Sequence, residues 1–255
     1  MVEEQYKDTV VYNPYSLEGK IILVTGASSG IGQATAIECS KMGAKLIITG
    51  RDETRLKETF NRLEGIGHKY VVADLVVEES LEKLVSETEC LNGLVLCAGI
   101  GVMIPVQFAT KDKFDDVFNV NFFAPFELLR LLYKKKKLSK ESSVVFVSSV
   151  GGVKVFYDGH VVYGVSKAAL ASMMKFCARE FAVRRIRVNS INPGTVETPM
   201  VDYVSQKEKN IDIQRYPLKR YGKPEDVAYS IIFLLSDASS WITGLELVVD
   251  GGLTI

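Results

Sequence analysis

Between Lys20 and Arg51 the chain reads KIILVTGASSGIGQATAIECSKMGAKLIITGR. An apolar run (Ile21 to Val24) meets a glycine-rich turn (Gly26, Gly30, Gly32), then a helix-like stretch to about Met42 and a second apolar run, Leu46 to Ile48. That is strand, tight turn, helix, strand. Glycines let the backbone turn sharply and approach a ligand closely, and the unpaired N–H groups of a helix amino terminus suit a pyrophosphate. A dinucleotide is the expected guest. The spacing is TGxxxGIG rather than GxGxxG, and no GK[ST] follows, so the turn is not a nucleoside-triphosphate P-loop.

The pattern then repeats along the chain. A helix is expected from about Glu53 to Glu64, a strand over Tyr70 to Ala73, a helix over Glu78 to Glu87 and a strand from Gly93 to Leu96. Residues 111 to 134 carry the broad apolar face of one long helix, which Pro125 should bend. Strands follow at Val144 to Val147, Ile186 to Ile191 and Leu245 to Val249, with helices at Tyr163 to Phe181 and about Pro224 to Leu235. Alternation at this spacing calls for an α/β, doubly wound, seven-stranded parallel sheet with helices on both faces, a Rossmann fold in one domain over 19–255. Residues 1–18 read as an extension that packs on the surface or on a neighbouring subunit, because Tyr6, Val10, Val11, Tyr12 and Tyr15 are too apolar for a free tail. The segment of about 195–221 interrupts the rhythm after strand six, where it is placed to cover a ligand bound beyond the strand ends.

Composition narrows the function. Thirty-one basic and 31 acidic residues cancel, which argues against nucleic acid or a membrane surface as partner, and the run Lys134 to Lys137 reads as a solvated helix end. Four cysteines (Cys39, Cys90, Cys97, Cys177) and two histidines (His68, His160) form no metal-ligand or disulfide pattern. No leader and no run long enough to span a bilayer is evident, so a reducing cytosol is the expected setting.

Three residues stand out by position. Ser149 ends strand five, and Tyr163 and Lys167 lie four apart on one helix face. A phenol with a pKa of about 10 is a poor acid at neutral pH, and a neighbouring ammonium brings it into range. Tyr157, the nearest rival, has Val161 at the corresponding position and lacks that partner.

With these pieces in order the chain resembles the short-chain dehydrogenase/reductase family, over essentially the whole length from Leu17 onward. The matching motifs are TGASSGIG (25–32), Asp74-Leu75, CAG (97–99), Asn121 in NVNFF, Ser148-Ser149, YGVSK (163–167), NPGTVETPM (192–200), PLKRYGKPEDVA (217–228) and ITGLELVVDGG (242–252). The resemblance implies that Tyr163 is the general acid or base, that Lys167 holds the nicotinamide ribose and lowers the tyrosine pKa, that Ser149 orients the carbonyl, and that Asn121 anchors a water serving Lys167. It implies cofactor contacts from Gly26, Ser28, Ser29, Gly30, Ile31 and Gly32, from Asp74 and Leu75 at the adenine, and from Cys97, Ala98 and Gly99. Pro193, Gly194, Val196 and Thr198 would hold the nicotinamide end beside Tyr163 and Lys167. A homo-oligomer, most often a tetramer built on the 112–134 and 163–181 helices, is implied as well.

Two departures stand against the family pattern. Cys97 replaces an asparagine that stiffens the central strands, and the interval from Ser149 to Tyr163 is one residue longer than the commoner one, which should bulge the intervening loop. Cofactor choice follows from charge. Gly50-Arg51 stands where enzymes preferring NAD present an acid, so NADP(H) is preferred over NAD(H) and carbonyl reduction is the expected direction. The expected substrate pocket comprises Ile100, Val102, Val150, Phe156, Tyr157, Val196, Met200 and Tyr203. Its apolar and aromatic lining suits a 3-oxoacyl thioester, a steroid or a small alcohol or ketone, and Arg184, Arg185, Lys140 and Lys134 to Lys137 are candidate contacts for an acidic carrier. The reading of another class is a non-catalytic dinucleotide-binding protein.

Overall fold

The computed structural model describes residues 12–201 and 205–255. Seven parallel strands, β1 (Ile21–Thr25), β2 (Lys45–Gly50), β3 (Lys69–Val72), β4 (Leu91–Leu96), β5 (Leu138–Val147), β6 (Arg187–Pro193) and β7 (Glu246–Val249), lie in the order β3-β2-β1-β4-β5-β6-β7. The chain runs outward from β1 to β3 and then crosses back, so β4 pairs with β1 (Leu23 opposite Leu94) and the crevice of a doubly wound sheet opens between them.

The apolar runs are continuous because each central strand is buried on both faces. Successive residues enter opposite cores: Leu23, Ile47, Leu94 and Phe146 face one, and Ile22, Ile48, Val95 and Val147 face the other. Helices α3 (Glu78–Glu87), α5 (Ala124–Lys134) and α6 (Val161–Phe181) cover the first face. Helices α1 (Gly30–Lys41), α2 (Glu53–Phe60) and α8 (Pro224–Leu235) cover the second. Residues 14–17 pack on this second face: Leu17 is fully buried, the Tyr15 ring sits 6.3 Å from that of Phe233, and the Ala238 N–H donates to the Pro14 carbonyl at 3.0 Å, whereas Tyr12, expected to pack, is 87% exposed. Tyr6, Val10 and Val11 lie outside the described residues.

Three expectations are corrected. The single helix over 111–134 is two, α4 (Lys111–Phe118) and α5, joined by a π-helical turn over Asn119–Phe123. Pro125 falls in the first turn of α5; it has no N–H for the Asn121 carbonyl and its ring crowds that carbonyl, so the preceding turn widens and the distortion lies upstream of the proline. Helix α2 stops at Phe60, not Glu64, closing in three-residue turns as the Glu64 N–H is taken by the Ser40 hydroxyl. The stretch Val161–Arg184, 24 residues, is long and apolar enough to cross a membrane, yet half of it is buried inside the fold as the core helix α6.

The segment after β6 forms a 3-10 turn (Pro199–Val201), the short helix α7 (Gln206–Asp212) with a Ser205–Glu208 capping box, and a second 3-10 turn, Ile213–Arg215. Its return is pinned at Tyr216, a fully buried side chain. The loop from β5 to α6 folds back tightly: the Lys154 and Val155 N–H groups both donate to the Val150 carbonyl, at 2.8 and 3.0 Å. Gly152 makes that fold possible. Its φ is +84°, and a Cβ there would collide with the Gly164 carbonyl on α6. Gly152→Ala should therefore cost about 2–4 kcal/mol and lower the Tm by several degrees, whereas Gly19→Ala (φ +74°, nothing near the added carbon) should cost only about 1 kcal/mol in the same thermal melts.

Candidate active site

The carboxyl ends of β1 and β4 touch without side chains between them. A Cβ on Gly26 would lie 2.9 Å from the Ala98 Cα, and one on Gly32 would collide with the Gly26 carbonyl oxygen. The Thr25 hydroxyl pins the junction, accepting from the Cys97 and Ala98 N–H groups at 2.9 and 3.1 Å and donating to the Val95 carbonyl at 3.3 Å. Beyond it opens a cavity of about 760 Å³.

One end of the cavity is walled by Gly26, Ser28, Ser29, Gly30, Ile31 and Gly32, where the amino terminus of α1 presents its unpaired N–H groups. Arg51, Asp74 and Leu75 stand beside them. Cys97, Ala98, Gly99, Pro193 and Gly194 form the middle, and Val196 and Thr198 come from the segment after β6. The far end holds Ser149, Tyr163 and Lys167, with Val102, Val150, Tyr157 and Met200 around them.

Three expected residues are elsewhere. Phe156 is 80% exposed and points away from the cavity wall. Ile100 also stands off the wall, tied to Asn121 through its backbone, and Tyr203 lies outside the described residues. Asn121 is fully buried behind the wall: its Oδ1 accepts from the Ile100 N–H at 2.8 Å, and its Nδ2 donates to the Ile100 carbonyl and the Ser166 hydroxyl, both at 3.0 Å. Ser166 in turn donates to the Tyr163 carbonyl at 2.7 Å, so Asn121 braces the start of α6.

The basic residues considered for an acidic carrier are corrected too. Lys134 to Lys137, Lys140, Arg184 and Arg185 gather at the amino ends of β5 and β6, with Arg184 bonded to the Leu138 carbonyl and Arg185 to Glu141. In a parallel sheet that is the end opposite the cavity.

Lys167 is 5% exposed, donates to the Val147 carbonyl at 2.9 Å and lies 5.9 Å from the Tyr163 ring centre. Ser148 and Ser149 both line the cavity, but the Ser148 hydroxyl is spent on the Lys167 carbonyl at 2.8 Å. The Ser149 oxygen accepts the Gly151 N–H at 2.9 Å, so its own O–H is left to donate. Burial lowers the Lys167 ammonium to a pKa of about 8 and raises the Cys97 thiol to about 12, against the pull of Lys167. At neutral pH the lysine is charged and the cysteine is not. Burial pushes the Tyr157 phenol up, away from acid–base work.

Several wall residues escaped the sequence reading. Arg55 lies four after Arg51, a spacing that could have flagged it, and Asp52 caps α2 while its carboxylate accepts from Arg55 Nε at 2.8 Å. His160 lies one turn before Tyr163 at the head of α6. Leu253 arrives from the terminal turn, and nothing in its local sequence marks it.

The residues present fit a dinucleotide: a side-chain-free cradle at a helix amino terminus, joined by one cavity to a lysine with donors to spare. Such fold and site geometry defines a dinucleotide-dependent oxidoreductase. The chain belongs to the short-chain dehydrogenase/reductase family, whose members use NAD or NADP for hydride transfer; a family model described as enoyl-(acyl carrier protein) reductase matches residues 26–254. Among curated proteins it is 39% identical to the 3-oxoacyl-(acyl-carrier-protein) reductase FabG of Rickettsia prowazekii, over 93% of this chain and 98% of the relative. A tropinone reductase homolog of Arabidopsis thaliana is 33% identical over 94% of each chain. Among solved structures, a dehydrogenase/reductase from Sinorhizobium meliloti 1021 superposes with a TM-score of 0.88 at 32% identity, covering 95% of this chain and 98% of that one.

A buried ammonium opposes folding. The lowered pKa of Lys167 means that its burial costs about 3 kcal/mol at neutral pH, a cost fully present below pH 8 and lost as the pH rises toward the unfolded value of 10.5. Lys167→Met should therefore stabilise the protein by about 2 kcal/mol at pH 7, allowing about 1 kcal/mol for the Val147 carbonyl left without a donor. The gain should shrink toward pH 10.5 in denaturant titrations read by circular dichroism.

Proposed function

We propose that this protein is an NADP(H)-dependent carbonyl reductase, with Tyr163 as the proton donor to a ketone oxygen, Ser149 as its hydrogen-bond partner and Lys167 as the cation that sustains the tyrosine. The observation that carries this reading is the convergence of Ser149, Tyr163 and the buried, charged Lys167 on one cavity with the glycine cradle. The bound nicotinamide supplies the hydride. Tyr163 holds a proton at its Oη and releases it as negative charge develops on the substrate oxygen, and the neighbouring ammonium stabilises the phenolate left behind. The two hydroxyls bind that oxygen from its own side, orienting the carbonyl. Asn121 is the anchor of a water relay to Lys167, since Pro125 has no N–H to give its carbonyl.

Charge supports the phosphorylated cofactor. The acids beside Arg51 are already engaged, Asp52 by Arg55 and Glu53 by Lys57, each at 2.8 Å. Arg51 and Arg55 face Asp52 and Asp74 on this wall, and with Asp52 taken by Arg55 the Arg51 guanidinium is the cation placed to meet a 2′-phosphate. A carboxylate in place of Gly50 would be crowded as well, because even a Cβ there lies 3.1 Å from the Ser28 hydroxyl. The substrate is a ketone with an apolar substituent. The bacterial relatives' name makes a 3-oxoacyl thioester the first candidate, with the pocket lined by Val102, Val150, Tyr157 and Met200.

Fluorescence titration should give NADPH binding at least tenfold tighter than NADH, reversed or levelled in Arg51→Asp. Absorbance decay should show turnover of a 3-oxoacyl thioester, and Tyr163→Phe should lose at least a thousandfold in kcat while binding NADPH as before. Equal binding of the two cofactors would remove the NADP assignment, and an active Tyr163→Phe would remove the acid.

We also propose a homotetramer. Phe123 and Phe126 by α5, and Val165 and Phe176 on α6, are exposed apolar side chains on the two helices that carry the site, and Trp241 before β7 is 98% exposed. Sedimentation velocity should give a four-chain mass for the protein and a smaller species for Phe176→Asp.

A further inference from the structure

The loop from Ser149 to Tyr163 and the segment after β6 meet at Tyr157. One part of the Tyr157 ring lines the cavity, and the Arg215 guanidinium carbon lies 4.9 Å from the ring centre. Arg215 also pairs with Asp212 at 3.2 Å, and the other Asp212 oxygen accepts from the Tyr221 hydroxyl at 3.0 Å. The Tyr221 ring meets the Tyr216 ring edge-on at 5.6 Å, and the buried Tyr216 hydroxyl donates to Thr195 Oγ1 at 2.8 Å while accepting the Thr195 N–H at 3.2 Å. Thr195 lines the cavity. The chain of contacts thus leaves the cavity wall at the end of β6, passes through the root of the covering segment and returns to the wall at Tyr157.

Helix α7 has little else to hold it. None of its side chains is buried, so its docking rests on few contacts, and segments of that kind open at small free-energy cost. We propose that Arg215 is a positioning residue: seated on Tyr157, it latches the 205–221 segment to the serine–tyrosine loop and fixes the Tyr157 ring as a wall of the carbonyl-binding end. The latch joins the two elements that border the substrate and leaves the cofactor cradle alone. Loosening it therefore weakens the hold on the ketone and spares NADPH. That last consequence rests on the carbonyl-reductase reading above; the latch itself does not.

The test has two readouts on the full-length protein. Amide hydrogen exchange over 206–221 should be about fivefold faster in Arg215→Ala and in Tyr157→Leu, the scale of one partly exposed cation–π contact, and no faster than either in the double variant. Tyr157→Phe keeps the ring and Arg215→Lys keeps a cation, so both should exchange more slowly than Arg215→Ala. With the thioester turned over by the unmodified protein, Arg215→Ala should raise KM about fivefold, with kcat and the NADPH Kd within twofold. Unchanged exchange in Arg215→Ala, or exchange effects that add in the double variant, would overturn the latch. Faster exchange with no turnover of any ketone by the unmodified protein would uphold the latch and count against the carbonyl-reductase reading instead.

Discussion

The contact on which the rest of this structure depends is made by backbone against backbone, where the turn after β1 lies on the end of β4. The Gly26 and Ala98 backbones approach so closely that no side chain fits on Gly26, and Thr25 binds the two strand ends through three backbone groups. This closeness lets α1 begin directly over the crevice, with Gly32 tucked under the Gly26 carbonyl. A side chain at either place would push the helix away from the sheet and carry its free N–H groups off the cavity. The sheet order supplies the position, since only at the switch point between β1 and β4 do neighbouring crossovers leave in opposite directions.

A second constraint works against stability. The acid role proposed for Tyr163 needs a cation close by, and the fold places one there by burying Lys167 under the end of β5, with Val147 as its carbonyl partner and Ser148 holding its backbone. Burial in a low-dielectric site strengthens the field that the ammonium exerts on the phenol, and it also disfavours the charged form. A pKa near 8 is a workable compromise: the charge survives at neutral pH and remains responsive to its surroundings. Asn121 and Ser166 brace the same helix turn, so the cation and the phenol are held by one rigid element with polar supports behind it.

Much of this was legible in the sequence because it rests on spacing. Apolar runs buried on both faces announce a parallel sheet, glycines before a helix announce the cradle, and Tyr163 and Lys167 share a face by helical arithmetic. What escaped depends on direction and distance in three dimensions. Pro125 marks a bend, but its steric effect falls on the turn before it, and only the structure shows Asn121 in a π-helical turn. Phe156 and Tyr157 are adjacent aromatics in one loop; which of them faces inward is decided by the fold-back onto Val150, and it is Tyr157. The basic residues of α5 and β5 look available to an acidic partner until the strand direction puts them at the opposite end of the sheet.

The cysteine at position 97 shows how one departure from the family pattern is absorbed. An asparagine there could tie neighbouring strands through its side chain, and a thiol is too weak a hydrogen-bonding group to replace it. In this chain the Thr25 hydroxyl already takes the Cys97 and Ala98 N–H groups, so the strand ends stay fixed without help from residue 97. The thiol is free of that duty, half-buried, and neutral because desolvation raises its pKa to about 12. A neutral thiol beside Lys167 neither pairs with the ammonium nor competes with the phenol for its field. An acidic group in the same place would set a negative charge beside Lys167 and oppose the field that the proposed mechanism asks the ammonium to exert on Tyr163, whereas a neutral thiol leaves that field intact.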